Sequence, residues 1–331
     1  MFSIAVVGAG AWGTALSVLL SRNGCRVVMW GRDAQHCRQM QSQRSNERYL
    51  PGECFPASLK IAHDLGSAIA DVEVVLIAVP SNGFASVIRS ITSRGLGCRR
   101  LCWATKGFEP GTGRLLHEVT IGELGETAEL AVLSGPTFAV EIARGLPGAI
   151  TIGSHVPDFA ASLAACFRSE RFRVYTSNDL IGVQVGGGVK NVLALAAGIA
   201  DGLGFGANTR AALITRGMAE LIRLGVALGG KQETLMGLAG MGDVILTCTD
   251  NQSRNRRAGL ILGRGGSLDD VHKDVGQVVE GVSAAREVSR LSSRVGVEMP
   301  IVEQVKQVLY AGRTPEEAVQ ALLTRAARPE L

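Results

Sequence analysis

Residues Ile4–Leu20 read IAVVGAGAWGTALSVLL, and this stretch decides the fold. Ile4–Val7 is a short apolar run. Gly8, Gly10 and Gly13 follow in the pattern G-A-G-A-W-G, and Thr14–Leu20 continues with helical periodicity. Strand, glycine turn and helix in this order give a G-x-G-x-x-G match its physical meaning. Gly8 permits a tight turn off the strand. Gly10 lets backbone approach a pyrophosphate, Gly13 lets helix and strand pack closely, and the helix N-terminus offers unpaired N–H groups to the anion. The bland alternative is a glycine-rich turn opening a buried helix.

Working outward, Cys25–Trp30 reads as the second strand and ends in Gly31-Arg32-Asp33. An acidic residue at this point binds the ribose 2′-hydroxyl of NAD, whereas an arginine suits the 2′-phosphate of NADP. Asp33 also precedes a helical pattern and would serve as its N-cap, so Arg32 is favoured as the reader of a 2′-phosphate. Residues 41–57 are polar and turn-rich and predict a loop or a short helical insert. Ser58–Ile61, Val74–Val79, Leu101–Ala104, Ala131–Leu133, Ala149–Ile152 and Phe172–Tyr175 predict further strands. The apolar runs among them are of the kind buried on both faces of a parallel sheet. Phe84 either covers a cofactor or packs on a helix face. Lys106 leaves a strand end beside Gly107, where it would meet an anionic substrate or simply sit at the surface.

From Asn178 the pattern is helical throughout. The expected organisation is therefore an α/β dinucleotide-binding domain, residues 1–177, followed by an all-helical domain, residues 178–331. The most informative part of the second is Gly186-Gly187-Gly188-Val189-Lys190-Asn191. Glycine inside a helix costs up to about 1 kcal/mol per residue relative to alanine. The row therefore predicts a helix break, or a close approach by a cofactor or a neighbouring helix. Lys190 lies in an otherwise apolar run. Burial lowers a lysine pKa from about 10.4 and makes it usable in acid–base chemistry; a salt-bridged or snorkelling lysine is the alternative. A glycine-rich turn, 237–242, delivers Asp243, which could pair with Lys190. Ser253-Arg254-Asn255-Arg256-Arg257 opens a helix with cations, unfavourable against its dipole unless an anion sits there. Arg254 suits phosphate.

Hydrophobic residues make up 46% of the 331 and charged ones 19%, enough for buried cores. A net charge of +4 fits a small anionic ligand and is too small to argue for nucleic acid. Seven cysteines form no C-x-x-C pair, which predicts reduced thiols in the cytoplasm. The scattered histidines predict no metal site. No run reaches the roughly 18 apolar residues of a membrane span.

The motifs G-A-G-A-W-G, W-G-R-D, A-T-K-G, S-G-P-T-F-A, G-V-K-N, L-A-G-M-G-D, S-R-N-R and V-V-E-G occur in this order across almost the whole chain. In this they resemble the bacterial NAD(P)-dependent glycerol-3-phosphate dehydrogenases. The resemblance implies a Rossmann-type domain followed by a helical domain like that of 6-phosphogluconate dehydrogenase. It implies hydride transfer between NAD(P)H and dihydroxyacetone phosphate, supplying glycerol 3-phosphate for phospholipid synthesis; the chain is expected to form a homodimer. By resemblance Lys190 is the proton donor–acceptor, and Lys106, Gly135, Thr137, Lys190, Asp243, Ser253, Arg254 and Asn255 bind substrate. Ala11, Trp12, Arg32, Lys106, Ala139, Arg254, Val278 and Glu280 would contact NADP or NAD. The family often carries serine where Ala11 stands. Two rivals have other consequences: a β-hydroxyacid dehydrogenase would hold a carboxylate rather than a phosphate, and a non-catalytic NADP sensor would need no Lys190.

Overall fold

The computed structural model describes residues 2–93 and 99–325. Its strands are β1 (Ser3–Val7), β2 (Arg26–Trp30), β3 (Ser45–Asn46), β4 (Leu50–Cys54), β5 (Lys60–Ala62), β6 (Val74–Ile77), β7 (Arg100–Trp103), β8 (Glu129–Ser134), β9 (Gly148–Ser154) and β10 (Phe172–Ser177). Eight of them form one sheet in the order β10-β9-β8-β7-β6-β1-β2-β5. The strands from β8 to β5 run parallel, and β9 pairs antiparallel with β8. The carboxyl ends of β1, β2, β6, β7 and β8 therefore share one edge. The chain reverses its direction of travel across the sheet between β6 and β1, the point where open α/β sheets bind ligands.

Among the described residues seven helices accompany the sheet: α1 (Ala11–Arg22), α2 (Ala34–Gln43), α3 (Leu65–Ile69), α4 (Ser81–Thr92), α5 (Leu116–Leu124), α6 (Ala139–Ala143) and α7 (Pro157–Phe167). Strands β1 and β6 are buried at every residue, as continuous apolar runs covered on both faces must be. Phe84 is fully buried and meets Trp103 edge to face, so it packs in the core. The stretch 41–57 departs from expectation. It carries the end of α2 and an antiparallel hairpin, β3–β4. Its short polar strands carry no alternating apolar signal; contacts with the glycine turn hold them in place, as described below.

The second unit is helical: α8 (Leu180–Gly202), α9 (Ala207–Ala227), α10 (Gln232–Met236), a π-helical turn at Leu238–Gly242, α11 (Asp243–Thr249), α12 (Arg254–Gly263), α13 (Leu268–Val275), α14 (Glu280–Arg294), α15 (Pro300–Tyr310) and α16 (Pro315–Leu323). The expected architecture, α/β followed by all-α, is met.

Helix α8 is long and apolar enough to cross a membrane by length and composition alone, but 94% of that window is buried inside the fold, as in a core helix. It is the axis of the second core, and it is not broken at its glycine row. A Cβ on Gly186 would stand 2.4 Å from the Ala239 carbonyl oxygen, on Gly187 2.7 Å from Ser134 Oγ, and on Gly188 2.6 Å from the Phe108 ring. The glycines thus admit neighbouring protein. Further along, Gly198 and Gly202 face Gly259 and Gly263 of α12. Backbone packs on backbone there, as in small-residue helix pairs generally.

Candidate active site

Two groups of residues lie along the sheet edge. The first surrounds the β1–α1 turn. Gly8 has φ +129°, and a Cβ on it would stand 2.6 Å from the Ala78 carbonyl oxygen at the end of β6. A Cβ on Gly13 would collide with the Gly8 carbonyl at 1.9 Å, whereas one on Gly10 would meet nothing within 4 Å. Turn and helix are therefore pressed together on one side of Gly10 and open on the other. Gly10 caps α1 without a side-chain partner, and the first turn, with Ala11 and Trp12, holds no acidic residue. The Trp12 indole N–H is buried with no partner. Asp33 accepts from the amides of Gln35 and His36 at 3.0 and 3.1 Å, so it is the N-cap of α2. Those bonds, led by the His36 amide, hold its carboxyl below its ordinary pKa. Arg32 is exposed beside it. An open glycine, a bare helix N-terminus, an unused indole donor and an exposed arginine fit a dinucleotide phosphate group.

The second group brings together residues from both units. Lys106 follows β7, and Lys190 projects from the middle of α8. Both donate to Asp243, the first residue of α11: Lys106 Nζ to Oδ2 at 2.6 Å and Lys190 Nζ to Oδ1 at 2.7 Å. Asp243 is wholly buried. Burial alone would raise its pKa, but the two ammonium groups outweigh that and hold it below the ordinary aspartate value. Lys106 also donates to the Gly135 carbonyl at 3.1 Å, and Lys190 to Thr247 Oγ1 at 2.8 Å. Burial lowers Lys106 to about 8, Asp243 opposing and Lys190 adding to the effect. Two cations share one anion, which leaves the cluster with one positive charge in excess and suited to a developing oxyanion.

Other expected residues lie around this centre. Thr137 Oγ1 donates to the Gly135 carbonyl at 3.2 Å, and Ala139 opens α6. The Ser253 hydroxyl caps α12 by accepting from the Arg256 amide. The Asn255 amide group donates to Asn191 Oδ1 and accepts from the Gly281 amide, and Asn191 donates to the Lys106 carbonyl at 3.4 Å. The start of α12 is thereby tied to the lysine strand end, although Ser253 and Arg254 do not touch the lysines. Of the three arginines, Arg256 pairs with Asp201 and Arg257 with Asp274. Arg254 reaches the Gln277 side chain at 3.1 Å. Val278 is exposed. Glu280 accepts from the Ser81 hydroxyl at 2.8 Å and from its amide at 3.3 Å. Burial raises the Glu280 pKa, with Ser81 and Arg254 opposing. Ser81 lies in the Pro80-Ser81-Asn82 turn expected at the ligand edge of the sheet, and Ser134 and Asn191 lie in motifs quoted above, but the sequence reading gave none of the three a role of its own. Only the coming together of the two units reveals them.

A doubly wound sheet with a dinucleotide-type turn, joined to a helical unit that contributes half of a lysine–carboxylate cluster, defines a nicotinamide-dependent oxidoreductase. Family models narrow the class. The N-terminal model of NAD-dependent glycerol-3-phosphate dehydrogenase matches residues 3–160 and the C-terminal model residues 179–320. The chain belongs to that family. It is 54% identical to the glycerol-3-phosphate dehydrogenase (NAD(P)+) of Nitrosococcus oceani, covering 98% of this chain and 94% of the relative. With the enzyme of the same name from Aliivibrio fischeri it shares 52%, over 99% and 96%. The crystal structure of glycerol-3-phosphate dehydrogenase from Coxiella burnetii superposes with a TM-score of 0.94 at 46% identity, covering 98% and 99%.

Proposed function

We propose that the chain interconverts dihydroxyacetone phosphate and sn-glycerol 3-phosphate with NADPH or NADH, and that it supplies the phosphate ester for phospholipid synthesis. The observation that carries the reading is the buried cluster of Lys106, Lys190 and Asp243, in a chain whose relatives bear that name. The bound nicotinamide would supply or accept the hydride at the substrate's second carbon. Gly8, Gly10, Ala11, Trp12, Gly13, Arg32, Ala139, Val278 and Glu280 would hold the dinucleotide. Lys190, oriented by Asp243 and Thr247, gives a proton to the ketone oxygen during reduction and takes it back during oxidation. Lys106, beside Gly135 and Thr137, holds the same oxygen by its charge. Arg254, with Ser253 and Asn255 at the start of α12, receives the phosphate, where a planar guanidinium and a helix N-terminus both favour an anion.

One observation favours Lys106 as the proton carrier instead: burial lowers it to about 8, close to the working range of a general acid. The division into residues 1–177 and 178–331 is supported by the end of β10 at Ser177 and the start of α8 at Leu180. Exposed Phe205, Val226 and Met236 on the helical unit support a homodimer, and the free cysteines support a cytoplasmic setting. Cys98 lies outside the described residues.

The test is an absorbance assay with each nicotinamide. Dihydroxyacetone phosphate should be reduced far better than unphosphorylated dihydroxyacetone. Equal use of the two ketones would remove the phosphate site. A preference for a keto acid would move the chain to β-hydroxyacid chemistry.

A further inference from the structure

The hairpin β3–β4 is bound to the glycine turn through one side chain. Asn46 is fully buried and makes four hydrogen bonds. Its Nδ2 donates to the Ala9 carbonyl at 2.9 Å and to Thr14 Oγ1 at 2.8 Å. Its Oδ1 accepts from His36 Nε2 at 3.0 Å and from the Tyr49 amide at 3.3 Å. Ala9 stands between Gly8 and Gly10, the two residues of the turn with the least conformational restraint. Its peptide to Gly10 is trans, as no peptide bond among the described residues is cis. In a planar trans peptide the carbonyl and the following N–H point in opposite directions. Holding the Ala9 carbonyl therefore fixes the direction of the Gly10 N–H, away from Asn46. The same amide group fixes Thr14, one turn into α1, so turn and helix are held in one register.

We infer that Asn46 is a positioning residue for the dinucleotide: it locks the Ala9–Gly10 peptide plane so that the Gly10 N–H is presented to the pyrophosphate. The inference rests on the glycine turn being the dinucleotide site. Without Asn46 a glycine-flanked peptide can rotate, and its N–H must be reoriented at each binding event. A hydrogen bond to a charged phosphate is lost or weakened, which corresponds to roughly tenfold or more in affinity. Both NADH and NADPH carry the pyrophosphate, so both should suffer equally. This separates Asn46 from any residue that reads the 2′-phosphate.

The experiment measures Kd for NADH and for NADPH by quenching of tryptophan fluorescence in the full chain, together with kcat, both KM values and Tm. Asn46→Ser should raise both Kd values by about tenfold, leaving kcat at saturating cofactor and KM for the ketone within about twofold. His36→Gln disturbs the Asn46 amide from the far side without touching the turn, and should raise both Kd values severalfold. It also serves if Asn46→Ser does not fold. A purely structural Asn46 would lower Tm and the folded fraction while the folded molecules kept their affinity. That result, or unchanged Kd values in either folded variant, overturns the inference. Gly10→Val, which fills the open side of the turn, tests the underlying site separately. If it binds both nucleotides normally, the turn is not the dinucleotide site; if it alone loses binding, the site stands and the role of Asn46 fails.

Discussion

Lys190 and Lys106 differ in what the protein has done to each. Both are held by Asp243, Lys190 with a threonine hydroxyl beside it and Lys106 with the Gly135 carbonyl, and burial lowers Lys106 to about 8. General acid help is typically worth about 10²–10⁴-fold, so Lys190→Met should lower kcat by that factor and leave nucleotide Kd nearly unchanged. Most of kcat surviving in folded Lys190→Met would transfer the proton to Lys106. The pH profile gives a second reading. A lysine lowered to about 8 is cationic below that pH and neutral above it. If Lys106 must be charged, kcat/KM for ketone reduction falls as pH rises through about 8, and in Lys106→Met that fall disappears. Arg32 acts alone at the other end of the site, because Asp33 is spent on capping α2. Arg32→Ala should weaken NADPH by roughly tenfold or more and spare NADH. Equal weakening of both would show that Arg32 does not read the 2′-phosphate.

At the scale of elements, α8 and α12 meet through glycines. A Cβ on Gly259 would stand 2.2 Å from the Leu195 carbonyl oxygen, a backbone atom that cannot swing aside. Gly259→Ala should therefore destabilise the chain by about 1–3 kcal/mol or more, read as a drop in urea midpoint. An unchanged midpoint would mean that the helices separate freely. Such pairs also mark the limit of what was legible. Strands β1 and β6 could be read because parallel strands covered on both faces are unbroken apolar runs. The row Gly186–Gly188 signalled a close approach, but its partners, Ala239, Ser134 and Phe108, lie far along the chain, so a break was an equally reasonable expectation. The hairpin could not be read at all. Leu50–Cys54 contains Pro51 and Gly52, poor strand formers, and its place depends on Asn46 reaching a turn some forty residues earlier. At the site, residue types legible on their own merits were found: a lysine in an apolar helix, a carboxylate after a glycine turn, an arginine at a helix start. Ser81 and Asn191 were illegible, because their roles exist only where the two units touch.

The whole molecule is joined at that line of contact. Ser81 donates to Glu280, Gln252 to Glu141, and the Gly111 amide to Glu287, each across the division between sheet and helices. The Lys106–Asp243 ion pair lies among them, buried. Asp243→Asn would leave two ammonium groups in the interior with no counter-charge. Breaking a buried pair in this way typically costs about 3–5 kcal/mol. The loss should shrink as pH rises and Lys106 gives up its proton, a trend visible in Tm measured between neutral and alkaline pH. A Tm equal to that of the parent at neutral pH would show that the carboxylate is not what compensates the lysines. The shared carboxylate also has a mechanical meaning. Any movement that parts sheet from helices parts Lys106 from Asp243 and wets both. Once hydrated, Lys106 returns from about 8 towards its ordinary 10.5. Between those values the parted form binds on the order of one proton more than the joined form. Such a parting would take up a proton and its reversal release one, so a pH indicator in weak buffer would register that movement with no substrate turned over.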